Sequence, residues 1–142
     1  MTRPPRPAYD ALAIGDELPP LTLPAVTRQA LAIYCGASGD HNPVHVDLDF
    51  ARAAGLGDVI AHGMLVMAYM GRLLTDWVPQ DAIRRFDTRF QAITRVGDVL
   101  TCRGRIVDKG PMEGERRVRV AVSAADQRGE IKAQGEAVVA FP

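Results

Sequence analysis

The stretch from Ala61 to Trp77 reads AHGMLVMAYMGRLLTDW. Apolar side chains occupy nearly every face of a helix built on its first half, which predicts a helix that is buried nearly all round there. Arg72 and Asp76 interrupt the apolar pattern only towards the end. A helix of this kind predicts a covering sheet, because a soluble domain buries an apolar surface against another element.

Four segments after Pro79 are typical of β-strands. They cover residues 84–90, 99–107, 116–122 and 131–141, with glycine-containing breaks at 97–98, 108–111 and 127–129. Their spacing predicts an antiparallel sheet with hairpin connections, which a short segment at 18–23 extends as an edge strand. A curved antiparallel sheet wrapped around one long central apolar helix is the hot-dog fold, of class α+β. Its open edges predict pairing with a second subunit.

The composition narrows the class of protein. The 142 residues fit a single domain over residues 1–142, with about 1–10 as a loose N-terminal tail. Seventeen basic and seventeen acidic residues cancel, which argues against nucleic acid as a partner. The longest apolar run, Val59 to Tyr69, is too short to cross a membrane. Cys35 and Cys102 lack metal-site spacing, so we expect no metal and two reduced thiols in the cytoplasm.

The first half of the chain predicts two helices before the apolar one. Thr27 is a good N-cap for a helix from Arg28 to about Ala37. Glycines at 36 and 39 weaken the end of that helix, and a short helical piece follows over residues 50–54. The side chains expected to form the apolar side of the first helix are Ala30, Leu31, Ile33 and Tyr34.

Residues 38–45 read SGDHNPVH and carry the candidate chemistry. Gly39, Asn42 and Pro43 keep this stretch from being helical, so Asp40 and His45 lie five residues apart on a turn. A carboxylate and an imidazole can together hold and deprotonate one water near neutral pH. Taken alone, such a pair is more often turn chemistry and a surface histidine.

The backbone N–H of Gly63 is a second group that favours chemistry at this site. The N–H of Gly63, in the first turn of the apolar helix, is an unpaired donor at the positive end of the helix dipole. Glycine also lets a substrate approach the backbone closely. The pattern therefore predicts an acid/base pair facing a helix N-terminus, which suits chemistry on a carbonyl or thioester.

The stretch from Tyr34 to Ala51, with Ser38-Gly39-Asp40-x-Asn42-Pro43-x-His45 and five further residues to Ala51, resembles the signature of the MaoC-like (R)-specific enoyl-CoA hydratases. Ile60-Ala61-His62-Gly63-Met64 is similar to their second hallmark. The resemblance runs from about Gly15 to the C-terminus. The chain looks most similar to family members with a single hot-dog domain. These include the catalytic subunit of bacterial (3R)-hydroxyacyl-carrier-protein dehydratases.

The resemblance implies a hydro-lyase that interconverts trans-2-enoyl and (3R)-3-hydroxyacyl thioesters in fatty-acyl metabolism, with no metal or redox cofactor. Asp40 and His45 would hold the water and pass its proton to Cα, and the Gly63 N–H would bind the thioester oxygen. Asn42 would fix the turn and orient Asp40. Which of Asp40 and His45 abstracts the proton stays open. Gly71 departs from the family, because some hydratases carry an assisting serine there.

The resemblance also implies a thioester partner, of CoA or acyl-carrier protein, and a homodimer or higher homo-oligomer, with a heterodimer possible. His62 and Met64 are predicted to bind substrate or support the site, His62 by capping the helix or touching the ligand. His41 is expected to be exposed. Alternate arginines on two predicted strands face either solvent or a substrate phosphate: Arg103, Arg105, Arg117 and Arg119.

Two other functions fit the fold. A hot-dog thioesterase would bind the same acyl thioester but hydrolyse it, and release of free thiol distinguishes the two reactions. A non-catalytic partner subunit of a heterodimeric dehydratase is the second alternative. Such subunits tend to lack the acid/base pair, whereas this chain has both Asp40 and His45.

Overall fold

The computed structural model describes residues 6–142 and forms one antiparallel sheet with three α-helices. The helices are α1 (Arg28–Ser38), α2 (Leu48–Ala53) and α3 (Gly63–Trp77). The strands are β1 (Leu21–Thr22), β2 (Ile83–Phe90), β3 (Thr101–Met112), β4 (Glu115–Ala125) and β5 (Ile131–Phe141). The order across the sheet is β1-β3-β4-β5-β2. The predicted α+β hot-dog fold is confirmed.

The meander of β3, β4 and β5 forms the centre of the sheet, and β2 and β1 form its two ends. The predicted break at 108–111 is wrong, because β3 continues to Met112 and turns at Glu113 and Gly114, both with positive φ. Pro111 is tolerated in the strand because, within residues 6–142, the outer pairing of β3 is limited to Thr101, Cys102 and a bridge at Arg105.

The main core lies between α3 and the sheet. Met70, Leu73 and Leu74 of α3 are at most 2% exposed, and they pack over valines and alanines of β4 and β5. Gly104 of β3 permits this approach, since a Cβ there would lie 3.4 Å from Leu73 Cδ2. The prediction that the first half of α3 is buried nearly all round is wrong, because Met64 is 54% exposed.

A smaller core cluster joins α1 to the segment before α3. Thr27 caps α1 as predicted, its hydroxyl accepting from the Ala30 N–H at 3.1 Å. Leu31 and Cys35 are the buried residues of this helix, whereas Ile33, predicted on the apolar side, is 64% exposed. The helix therefore buries a narrower stripe than its composition indicates.

The prediction of a loose N-terminal tail at about 1–10 falls partly on residues that the structure does not describe. Residues 1–5 lie outside the described part, but a 3₁₀ turn at Tyr9–Ala11 is ordered against the sheet. The Tyr9 ring lies 5.8 Å from that of Phe141, and Arg6 forms an ion pair with Asp81 at 2.8 Å. A single domain over residues 1–142 stays a prediction. Within residues 6–142, no helix combines the length and apolar character that a membrane crossing requires.

Candidate active site

The turn between α1 and α2 positions the predicted acid and base. Gly39 ends α1 in the left-handed region, with φ of 75°. Asp40 Oδ1 then accepts the Asn42 N–H at 3.2 Å, and Asn42 Oδ1 accepts the Val44 N–H at 3.1 Å. The second bond caps the short 3₁₀ turn Pro43–His45. Asn42 thus fixes the turn with its side chain and orients Asp40 with its backbone.

Asp40 and His45 face each other through one carboxylate oxygen and one ring nitrogen. His45 Nδ1 lies 2.7 Å from the Ile60 carbonyl oxygen. Because a carbonyl can only accept, Nδ1 carries the proton and Nε2 carries a lone pair in the neutral ring. Nε2 lies 3.9 Å from Asp40 Oδ2, which is too long for a direct hydrogen bond. A water to one side of the line that joins the two atoms, at hydrogen-bond distance from each, would donate to both acceptors.

His62 lies beneath this pair, fully enclosed. Its ring stacks on that of His45, with centroids 3.7 Å apart, and its Nε2 lies 3.3 Å from the Asp40 carbonyl oxygen. Burial, followed by the nearby His45, lowers the pKa of His62. The ring is 1% exposed and stays neutral near pH 7. His62 is the N-cap residue of α3, and its carbonyl oxygen accepts from the Leu65 N–H at 3.1 Å, while its side chain makes no cap bond.

The N-terminus of α3 lines the same cavity as His45. Gly63 is the first residue of α3, so its N–H has no intrahelical acceptor. A Cβ at Gly63 would lie 3.2 Å from Phe90 Cε1, a contact that only a residue without a side chain avoids. Beside them lies an open cavity of about 350 Å³. Its walls include His45, Ile60, Gly63, Val66, Phe90 and Ile93.

The structure brings Asp40, His45, His62 and the start of α3 together, as the motifs predict. Met64 is different, because its side chain is mostly exposed and is not among the residues lining the cavity. His41 is exposed, as expected. Every catalytic or binding role assigned to these residues stays a prediction at this point.

The alternate arginines separate into two sets. Arg117 is paired with Glu113 and Glu115, each at 2.7 Å, and its side chain is only 12% exposed. The other three line an open groove of about 850 Å³ on the outer sheet face: Arg103, Arg105 and Arg119. Arg117 is therefore a structural residue, and phosphate binding stays a prediction for the other three.

Asp40, His45 and His62 also form a cluster of ligating atoms, all within 4.8 Å of one another. The two rings are stacked with an interplanar angle of 23°, so their nitrogen lone pairs run side by side. A tetrahedral metal site needs converging lone pairs at about 2.0–2.1 Å from one ion. The arrangement fits a shared water better than a metal ion.

Two contributors to the site carry no motif. The Ile60 carbonyl that fixes the His45 tautomer is a backbone group, which side-chain patterns do not reveal. Lys132 lines the cavity from β5 although it is 2% exposed. No sequence signal reveals this burial, because Lys132 lies where the pairing of β4 with β5 shifts by one residue, beside the inward-facing Ala133.

A sequence model described as the MaoC like domain matches residues 14–128. The chain belongs to the MaoC-like dehydratase family. The (R)-specific enoyl-CoA hydratase of Rhodospirillum rubrum is 27% identical over 119 residues, covering 82% of this chain and 81% of that protein. The structure is similar to that of unliganded R-hydratase PhaJ1 from Pseudomonas aeruginosa, with a TM-score of 0.81 and 29% identity over 94% of this chain and 84% of that one.

A third relative of this MaoC-like chain is much larger. The fatty acid synthase subunit beta of Aspergillus oryzae is 32% identical over 115 residues, which cover 66% of this chain. The chain spans only 6% of the length of that subunit. The family predicted from the motifs is confirmed, and the shared region is a small part of a larger synthase subunit in one case and most of the protein in the other.

Proposed function

We propose that this protein catalyses the reversible addition of water to trans-2-enoyl thioesters, giving (3R)-3-hydroxyacyl thioesters in fatty-acyl metabolism. It would thus act as a hydro-lyase. One observation carries the proposal: the lone pair of His45 Nε2 faces Asp40 Oδ2 across 3.9 Å, beside the N-terminus of α3. Membership of the MaoC-like dehydratase family supports it independently.

The pair would act on a single water. Its oxygen attacks C3 of the enoyl group, and one of its protons passes to the Asp40–His45 pair. The pair returns a proton to C2 on the same face, so the water adds across the double bond and the pair is regenerated. His45 is prepared as an acceptor because its Nδ1–H is already bound to the Ile60 carbonyl.

The thioester oxygen gains negative charge when C3 is attacked. The N–H of Gly63, at the positive end of α3, would donate to this oxygen, and a donor of this kind is worth about 10²–10³ in rate. Asn42 and His62 would support the pair, the first through the turn and the second through its stack on His45. Met64 is exposed at the same helix start and would contact the bound thioester.

Self-association is part of the proposal. β2 lies at one end of the described sheet, so its outer backbone groups form an open edge. Apolar side chains are exposed around the site, including Phe90 at 48% and Ile93 at 42%. A second copy pairing along this edge would cover both features. Light scattering of the purified chain should give a dimer or a higher homo-oligomer; a monomer at micromolar concentration would contradict this part.

The proposed compartment is the cytoplasm. Cys35 and Cys102 are both free and both buried, and burial raises the pKa of the Cys102 thiol to about 11. Unpaired buried thiols are typical of proteins that fold under reducing conditions.

The deciding experiment measures loss of enoyl absorbance when the purified chain meets crotonyl-CoA or a longer trans-2-enoyl-CoA. A thiol assay and chiral analysis of the product accompany it. Loss of absorbance with (3R) product and no thiol supports the hydratase. Release of free thiol would instead identify a thioesterase. A folded chain that is inactive alone and active with a second subunit would identify a heterodimeric dehydratase.

A further inference from the structure

The start of β5 carries a buried lysine that the proposed chemistry does not use. Lys132 Nζ donates to the Ile93 carbonyl oxygen at 3.0 Å. The carbonyl oxygen of Lys132 accepts from the Gln91 N–H at 2.9 Å and the Ala92 N–H at 3.3 Å. This one residue therefore holds three consecutive residues of the segment that follows β2.

Three carboxylates surround the Lys132 ammonium. Glu130 Oε2 lies at 3.2 Å, Asp126 Oδ2 at 3.4 Å and Asp98 Oδ2 at 3.5 Å. The side chains of Asp126 and Asp98 are 0% and 5% exposed. Charges removed from water this completely need opposite charges at fixed positions. The cluster thus restricts Nζ to one location, from which it reaches the Ile93 carbonyl.

The held segment continues to the catalytic pair. The Thr94 carbonyl accepts the Ala61 N–H at 2.9 Å, and Arg95 forms an antiparallel bridge with Ile60. The Ile60 carbonyl is the group that receives the Nδ1–H of His45. Main-chain hydrogen bonds of two short segments therefore connect the ammonium to the imidazole.

We propose that Lys132 is a positioning residue whose ammonium, through residues 93–95, sets the Ile60 carbonyl that orients the ring of His45. This inference rests on the proposed function, because His45 is its catalytic end. Displacement of a reacting group by about 1 Å can lower a rate about 10²-fold. A purely structural ion cluster would lower stability and leave turnover by the folded enzyme unchanged, so the two roles predict different results.

The chain offers a matched control, because it has only two lysines. Lys109 Nζ also donates to a loop carbonyl, that of Leu12 at 2.6 Å, and lies over the Tyr9 ring. We expect K132M to lower kcat for crotonyl-CoA about 10–100-fold, with a much smaller change in KM. K109M should keep the wild-type kcat.

A second readout does not depend on activity. The chain has three histidines, so long-range ¹H–¹⁵N spectra report the tautomer of each ring. We expect His45 to be protonated at Nδ1 alone in the wild type and to show a mixture of tautomers in K132M. A folded K132M with wild-type kcat and a single His45 tautomer would overturn the proposal.

Loss of the ammonium leaves Arg128, 2.7 Å from Asp126 and 3.4 Å from Asp98, as the remaining cation of the cluster. Where K132M does not fold, a second variant is needed. K132R then carries the test, because it keeps the positive charge but moves the donor away from Ile93. We expect the same two changes, smaller in size, and wild-type values for both would overturn the proposal. If the wild type shows no hydration at all, the proposed function fails, whereas the tautomer spectra still decide the role of Lys132.

Discussion

The two halves of α3 differ in how far their side chains are exposed. The first turn has Gly63 and Met64 open to the surroundings, next to the Asp40–His45 pair. The second half buries Leu73 and Leu74 almost completely against the sheet. Leu65 and Val66 in the first turn are also buried, so α3 is anchored along its whole length. Gly63 and Met64 nevertheless leave its N-terminal end accessible. Substitutions in the two halves should therefore affect different properties.

The largest effect should come from D40N. Asparagine keeps the Oδ1 that accepts the Asn42 N–H, so the turn should persist while the acid/base capacity is lost. We expect kcat/KM to fall by about 10²–10⁴, with an unchanged melting temperature. H45A should behave similarly, and the double variant should lose little more than either single. D49N and H41A are the matched controls, and near-wild-type turnover of D40N would remove Asp40 from the catalytic pair.

L73A tests the buried second half of α3. Leu73 is 2% exposed, so truncation should leave a cavity that lowers the free energy of unfolding by about 3 kcal/mol. Turnover per folded molecule should not change, because the side chain lies away from the acid/base pair. Urea denaturation measures the loss, and exposed M64A, expected to change stability by less than about 0.5 kcal/mol, is the control. A strong loss of turnover in folded L73A would join the two halves functionally.

G63A tests the first turn itself. The added Cβ would lie 3.2 Å from Phe90 Cε1, so either the ring or the start of α3 must shift. We expect kcat to fall about 10²-fold while the melting temperature stays close to wild type. Stopped-flow turnover of G63A/F90L sharpens the test, since the smaller leucine should restore part of the loss. An unchanged kcat in G63A would show that the N–H tolerates displacement.

The smallest effect should come from G71A, which we expect to gain stability. Gly71 lies inside α3, and a Cβ there would meet Phe86 Cε1 at 3.5 Å, an ordinary contact. Replacing a helical glycine with alanine should raise the free energy of unfolding by about 0.5–1 kcal/mol. Calorimetry measures the gain, and a destabilised G71A would mean that the β2 side of the helix has less room than the contact indicates.

The sequence was a good guide where a local rule decides the structure. The cap at Thr27, the turn ending at His45 and the alternating strand β4 follow from rules that act within a few residues. The sequence was a poor guide where contacts between distant residues decide the structure. The helix predicted from Ala61 starts at Gly63, with the Ala61 N–H bound to the Thr94 carbonyl instead. Ile33 is exposed because α1 packs through Leu31 and Cys35.

The candidate site also combines residues that a local motif predicts with residues that depend on distant contacts. The residue types of Asp40, His45 and Gly63 could be read from the motif and the family resemblance. The Nδ1–H tautomer of His45 could not, because it depends on the backbone of Ile60. Lys132 could not either, because its partners Asp98 and Asp126 lie in other turns and no spacing rule relates them.

The strand order has a consequence for the time course of folding. β3, β4 and β5 are consecutive in the chain and adjacent in the sheet, so their pairing closes only short loops, whereas β2 reaches β5 across the whole meander. Short closures cost less entropy and form sooner. We expect refolding to restore the sheet signal before activity returns, since the reactive groups depend on segments that join the meander last.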